Sequence, residues 1–339
     1  MIRLRAVTVI TLMVVLAVGV RAKQKVPLAL LERITVPGLK DGDFDHFAVD
    51  LQNQRLFLAA ENSAVEVFDL RTNKLIHTIS DVKIPHSIAY RADLNRLFVV
   101  DGGEPGVKIY DSDSYRSIET IELLPDADSM AYDPAKKFMY IVNGGEDAKI
   151  TYSLVSVVDT TSAKKVADIK IDSDKVEALA LEKSGPRLFV NITGKDAVGV
   201  IDRETRTVLT TWPTAQAGKH LVAMALDDAD RRLFVTSRDP GRLIVLDSDS
   251  GKIVTTIPCV GMNDDMAYDS GSKRIYVAGS EFVDVFQQND ADHYTQIGHI
   301  PGAFRAATAI LVPKLKRYYL AVPHRGDQEA EVRVYQVLP

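Results

Sequence analysis

The sequence has one cysteine, Cys259, and one tryptophan, Trp212, in 339 residues. A single thiol excludes an intramolecular disulfide and any Cys-rich zinc or iron–sulfur site. There is no C-x-x-C-H for covalent haem, no G-x-S-x-G elbow, no H-E-x-x-H, no P-loop and no G-x-G-x-x-G. Basic residues do not exceed acidic ones: 41 Lys+Arg stand against 46 Asp+Glu, a formal charge of −5. That balance argues against a nucleic-acid partner, which needs a basic face to offset phosphate. After the first two dozen residues no stretch approaches the length of apolar chain that spans a bilayer. No convincing helical stripe occurs either. The chain is nonetheless 46% hydrophobic and 26% charged, enough for a packed core.

Residues 1–22 stand apart. Arg3 and Arg5 give a basic start, Val7 to Val18 is an apolar run, and Val20-Arg21-Ala22 puts small residues before a cut after Ala22. This layout predicts a secretory signal peptide. An uncleaved anchor is the alternative, but the run is short for a hydrocarbon core of about 30 Å. The division is then a signal peptide at 1–22 and one domain at 23–339. Losing Arg3, Arg5 and Arg21 leaves 38 basic against 46 acidic residues, a mature charge of −8. The expected location is periplasmic or secreted, with no membrane contact after cleavage.

What is abundant is a repeat. AVDLQNQRLFLAA from Ala48 returns as AYRADLNRLFVVD from Ala89, AYDPAKKFMYIVN from Ala131 and ALEKSGPRLFVNI from Ala180. It returns again as ALDDADRRLFVTS from Ala225, AYDSGSKRIYVAG from Ala267 and ILVPKLKRYYLAV from Ile310. The starts are spaced 41, 42, 49, 45, 42 and 43 residues. A third strand ending in Asp follows each of the first five copies (VEVFDL, VKIYDS, VSVVDT, VGVIDR, LIVLDS), then a polar turn and a fourth strand. Period-two segments bounded by turn residues, four per repeat, predict an all-β, seven-bladed β-propeller with four-stranded blades. The seventh copy lacks its fourth strand, and Ile34-Thr35-Val36-Pro37-Gly38 matches Gly298-His299-Ile300-Pro301-Gly302 at the end of copy six. The N-terminal strand therefore closes the last blade. The wider spacing of copy three points to an insertion around Glu146–Ser153.

RLFVTSRDPGRLIVLDSDSGKIVTTIP and RLFLAAENSAVEVFDLRTNKLIHTI resemble the YVTN repeat of YncE-like seven-bladed propellers over about residues 28–339. Arg238-Asp239-Pro240-Gly241 and the missing terminal Asp of copy six depart from that pattern. The resemblance implies an exported bacterial propeller and no particular reaction. The single tryptophan argues against quinone-dependent propeller dehydrogenases, which have tryptophan-rich repeats.

Inner strands line a propeller's axis, so equivalent positions before them should share one ring. Three residues before each aligned start stand Asp45, His86, Asp128, Glu177, Val222, Asp264 and Ala307. His46, Asp126, Lys175, Lys219, His220, Asp265 and Arg305 are neighbours. Two readings follow. Asp at a strand entrance often only bonds nearby backbone amides. Alternatively, Asp45, His46, His86, Asp128, Glu177, His220, Asp264 and Arg305 form a ligand site at the channel mouth. Within it Asp45, His86, Asp128, Glu177 and Asp264 are candidate ligands for Ca²⁺, Mg²⁺ or Zn²⁺. This arrangement resembles six-bladed gluconolactonase-type propellers, in which a Glu before an inner strand binds a metal. Loops Glu61-Asn62, Asp101 to Glu104, Asn143 to Asp147, Gly194 to Asp196, Arg238-Asp239 and His324-Arg325 should open onto the same face. The Asp after each third strand and Cys259 read as structural, and the Asn191-Ile192-Thr193 sequon as chance.

These features favour a monomeric binding scaffold for a small polar ligand or a protein partner. The alternatives are a metal-dependent hydrolase or lyase of lactonase type, and an accessory or electron-transfer partner of a periplasmic oxidoreductase.

Overall fold

The computed structural model describes residues 26–339, so the expected signal peptide lies outside the described residues. These residues form seven four-stranded antiparallel sheets. In chain order the first six blades occupy residues 44–79, 85–122, 130–171, 179–213, 219–258 and 263–301. Each is a meander from inner to outer strand. The inner strands, from Phe44–Asp50 through Thr308–Val312, touch their neighbours in sequence and the last touches the first, closing a ring. Two short 3-10 turns are the only helical segments among the described residues.

Blade seven combines the two ends of the chain. Thr308–Val312, Arg317–Val322 and Glu331–Val337 supply three strands, and Leu28–Thr35 supplies the outer one. Ile34 faces Val332 and Leu28 faces Val337. Backbone bonds from Val36 to Ala330 and from Leu338 to Pro27 extend the seam at either end. The expected closure is therefore present, with β-pairing covering an edge that would otherwise be open.

The core lies between blades. Each of seven apolar clusters joins two neighbouring sheets, as where Ile88, Leu97 and Tyr110 of blade two pack on Phe57, Val65 and Val67 of blade one. Leu56 and Phe68 of blade one meet Tyr319 and Val334 of blade seven. Middle strands such as Arg55–Ala60 are buried along their whole length because both faces carry a neighbouring blade. This is why the repeated triplets are apolar at every position rather than alternating. Outer strands such as Lys74–Ile79 keep exposed residues.

The Asp after each third strand shapes a turn. Asp69, Asp111, Asp159, Asp202 and Asp247 each accept bonds from the backbone N–H groups two and three residues ahead. Asn191 is fully buried and donates to Val222 O, so the sequon is inaccessible to a glycan. Burial pushes the Cys259 thiol up to about 12, with the Asp284 charge adding to it, so the group stays protonated. Residues 145–152 form the longer loop of blade three.

Candidate functional site

At one end of the axis lies a cavity of about 330 Å³, whose lining includes Asp45, His46, His86, Asp128, Glu177, Asp264 and Arg305. Val222 and Ala307, the apolar members of the same repeat position, line it too. All seven ring positions thus meet in one space. His220 does not line it: the residue is exposed, and its backbone N–H donates to Asp196 at 2.9 Å. Asp126, Lys175 and Lys219 also stand outside the lining.

Local backbone geometry accounts for which residues point inward. The inner strands of blades one, two, five and six shift register between Phe44 and Phe47, Pro85 and Ile88, Leu221 and Met224, and Asn263 and Met266. A bulge breaks the in–out alternation of a strand and re-aims consecutive side chains. Asp45 and His46 therefore both face the axis, and Asp264 and Asp265 both contribute to its walls. In blades three and four the inner strands begin later, at Met130 and Leu179. There the Asp128 N–H bonds Val142 O and the Glu177 N–H bonds Asn191 O, fixing the residues just before each strand.

Several lining residues come from elsewhere. Glu61 belongs to the loop between the second and third strands of blade one, whereas Arg238, expected in such a loop, lies near the end of the second strand of blade five, Arg232–Asp239. Asp43, Ser129, Met262, Phe304 and Thr308 were not legible as site residues. Position relative to the repeat was the available signal, since Ser129 follows Asp128 directly.

The charges fall into two sets. One set is paired. His86 Nδ1 lies 2.5 Å from Asp45, and His46 lies 3.0 Å from Asp265 and 3.3 Å from Asp45. Arg238 bonds Asp264 at 2.6 Å, while Arg305 Nε and Arg325 bond Asp43 at 3.0 and 2.5 Å. The other set is not paired: the carboxylates of Glu61 and Glu177 have no hydrogen bond or ion pair among the described residues. Asp128 has only His86, at 3.8 Å.

Protonation follows from this crowding. Burial, then the Asp45 charge, pushes Glu61 up to about 7 and Asp128 up to about 6. Burial, then Asp128, pushes Glu177 up to about 8. Burial, with Asp45 and Asp265, holds Asp264 well above the usual carboxylate range. Asp45 goes the other way: burial would raise it, but His46 and His86 hold it low. Burial would lower His86, yet its hydrogen bond to Asp45 and the charges of Asp128, Asp45 and Glu61 raise it to about 10. Gly102 makes room for this ring, because a Cβ there would stand 2.8 Å from His86 Nε2.

Two groups of three donors approach closely enough to share an ion: Asp45, Glu61 and His86, and Asp45, His46 and Asp128. Within each group the donor atoms lie within 4.8 Å of one another. Glu177 and Asp264, the other two candidate ligands, line the cavity but belong to neither group. Below the mouth a second cavity of about 240 Å³ continues along the axis, sharing His46 and Asp264 with the first.

Fold and site define a seven-bladed β-propeller with an acidic axial mouth. No protein-family model matches the chain, and no curated protein matches it in sequence. Among solved structures it is similar to Kuenenia stuttgartiensis hydrazine synthase, with a TM-score of 0.72 and 16% identity over 84% of this chain and 93% of that one. At that identity the likeness is one of fold.

Proposed function

We propose that the protein is an exported, monomeric, YncE-like propeller that works as a binding scaffold, holding a small polar ligand in its axial mouth. The observation that carries this reading is the convergence of all seven ring positions on one cavity of about 330 Å³, a size suited to a small molecule. The YVTN-like repeats support the family, and the acidic balance of the chain supports a partner other than nucleic acid. Thermal melting against a panel of small cations, anions and neutral polar solutes tests it. One class should raise Tm, because a ligand at a hundred times its Kd adds about 2.7 kcal/mol. Asp45→Asn should abolish that rise. A panel in which no class raises Tm overturns the reading.

The two three-donor groups favour a second reading, a divalent-cation site serving a hydrolase or lyase. It requires stoichiometric Ca²⁺, Mg²⁺ or Zn²⁺ in the purified protein, lost in Asp128→Ala. Metal-free protein that gains no stability from added Ca²⁺, Mg²⁺ or Zn²⁺ overturns it.

A further inference from the structure

The mouth is lopsided. On the side of blades three and four stand Asp128, Ser129 and Glu177. Neither Asp128 nor Glu177 has a salt bridge shorter than 3.8 Å among the described residues. The Ser129 hydroxyl is also without a hydrogen-bond partner among the described residues, although Ser129 is only 7% exposed and lines the cavity. The hydroxyl oxygen itself opens onto the cavity, so it is available to whatever enters. The opposite side, blades five to seven, presents Val222, Met262, Phe304 and Ala307. Met262 and Phe304 are 50% and 54% exposed, large apolar side chains left open at the rim of a polar cavity. On that side the acidic groups are already engaged: Asp264 bonds Arg238, and Asp43 is shared by Arg305 and Arg325.

We propose that the mouth takes a small organic cation with an apolar arm, its ammonium head held by Glu177, Asp128 and Ser129 and its arm laid on Met262 and Phe304. This rests on the reading of the mouth as a ligand site and names the ligand's class. An ammonium offers three donors and no acceptor, which matches two carboxylates and a hydroxyl oxygen. Glu177, raised to about 8 by burial and then by the Asp128 charge, gives up its proton as the ammonium enters, because the cation offsets that charge. An aromatic or aliphatic arm covers Phe304 and Met262, and Phe304 can also face a cation. A bare divalent ion would instead be drawn to the donor groups around Asp45 and would leave the apolar rim uncovered.

Calorimetry on the mature protein at pH 7.5 tests this with 2-phenylethylammonium chloride, with 2-phenylethanol as the uncharged isostere and MnCl₂ as the inorganic cation. The amine should bind at least roughly tenfold more tightly than the alcohol. Glu177→Gln and, separately, Asp128→Asn should each weaken it about tenfold, a change expected when a charge-assisted bond is lost. Phe304→Ala should weaken it several-fold, and all three variants should melt within a few degrees of the parent. Equal binding of alcohol and amine overturns the charge requirement while leaving the mouth a ligand site. Binding of Mn²⁺ with no binding of the amine overturns the proposal in favour of a metal centre. Binding of none of the three overturns the proposal, and the separate solute panel then decides whether the mouth binds anything. Amine binding unchanged in both Glu177→Gln and Asp128→Asn places the amine elsewhere and also overturns it.

Discussion

Glu177 and His86 occupy the same repeat position but meet different surroundings. His86 gained a carboxylate partner, so its proton is held far above the ordinary histidine range. Glu177 gained a neighbouring carboxylate and lost solvent, so it too holds a proton, while Lys175 and Arg238 pull weakly the other way. Both groups bind protons more tightly folded than unfolded. The stability each contributes is complete below its unfolded pKa and disappears as pH rises through the folded one, about 10 for His86 and about 8 for Glu177. Asp45 has the opposite sign: its contribution is present above the ordinary carboxylate pKa and is lost as pH falls. Melting should therefore be highest near pH 4.5, should decline first as Glu177 ionises in the unfolded chain between about pH 4.5 and 8, and should go on declining to about pH 10 through His86. Glu177→Gln cannot ionise, so at pH 9 it should melt roughly 2–4 °C above the parent, the shift produced by 1 kcal/mol in a domain somewhat smaller than this one. At pH 5 the two should coincide. A parallel decline in both proteins would show that Glu177 carries none of it. The ring positions could be read from the repeat phase, since pseudo-symmetry alone makes them equivalent. Whether a given member was paired could not, because decisive partners come from a different blade, as His86 of blade two does for Asp45 and Arg238 of blade five for Asp264.

At the level of strands, the repeats reported themselves through period-two patterns and apolar triplets, and the closing strand through its match to the end of copy six. Leu28–Thr35 is held by backbone bonds to Glu331–Val337 and by Ile34 and Val36 in the cluster shared by blades one and seven. Deleting residues 23–37 would leave Glu331–Val337 as an unpaired edge and open that cluster. The truncated protein should aggregate or lose well over 5 °C of Tm in a thermal scan; melting like the full mature chain would contradict the role assigned to this strand. The bulges at Asp45–His46 and Asp264–Asp265 escaped the pattern. One extra residue in an inner strand changes hydropathy phase too little to register, yet it turns a second side chain to the axis. His220 marks the same gap from the other side: it lies two residues before a ring position, but a left-handed backbone turn leaves it outside the cavity.

On the scale of the whole molecule, the ring of blades makes one cavity out of segments far apart in the chain, as where Thr308 donates to Phe44 O, 264 residues away. The net negative charge and the acidic mouth point the same way, toward ligands that are neutral or positive. Export is expected to begin with cleavage near Ala22, and intact-mass analysis of natively expressed material should show a chain beginning at Lys23. A mass beginning at Met1 would contradict it. Size-exclusion chromatography with light scattering should return one copy of the mature chain.

The sequence by itself determined the number of blades, their four-strand make-up, the Asp-shaped turns and the way the last blade closes. All of these are local or repeated features: alternation, turn chemistry and a fixed phase recur within a few dozen residues and reinforce each other seven times. Only the tertiary structure decided how the mouth is furnished. The Ser129 hydroxyl opens into the cavity with no hydrogen-bond partner among the described residues, Arg238 bonds Asp264, and Met262 and Phe304 line the same cavity as Glu177 because seven wedges pack around one line. Those relations depend on distances between side chains far apart in the chain, which no repeat phase encodes.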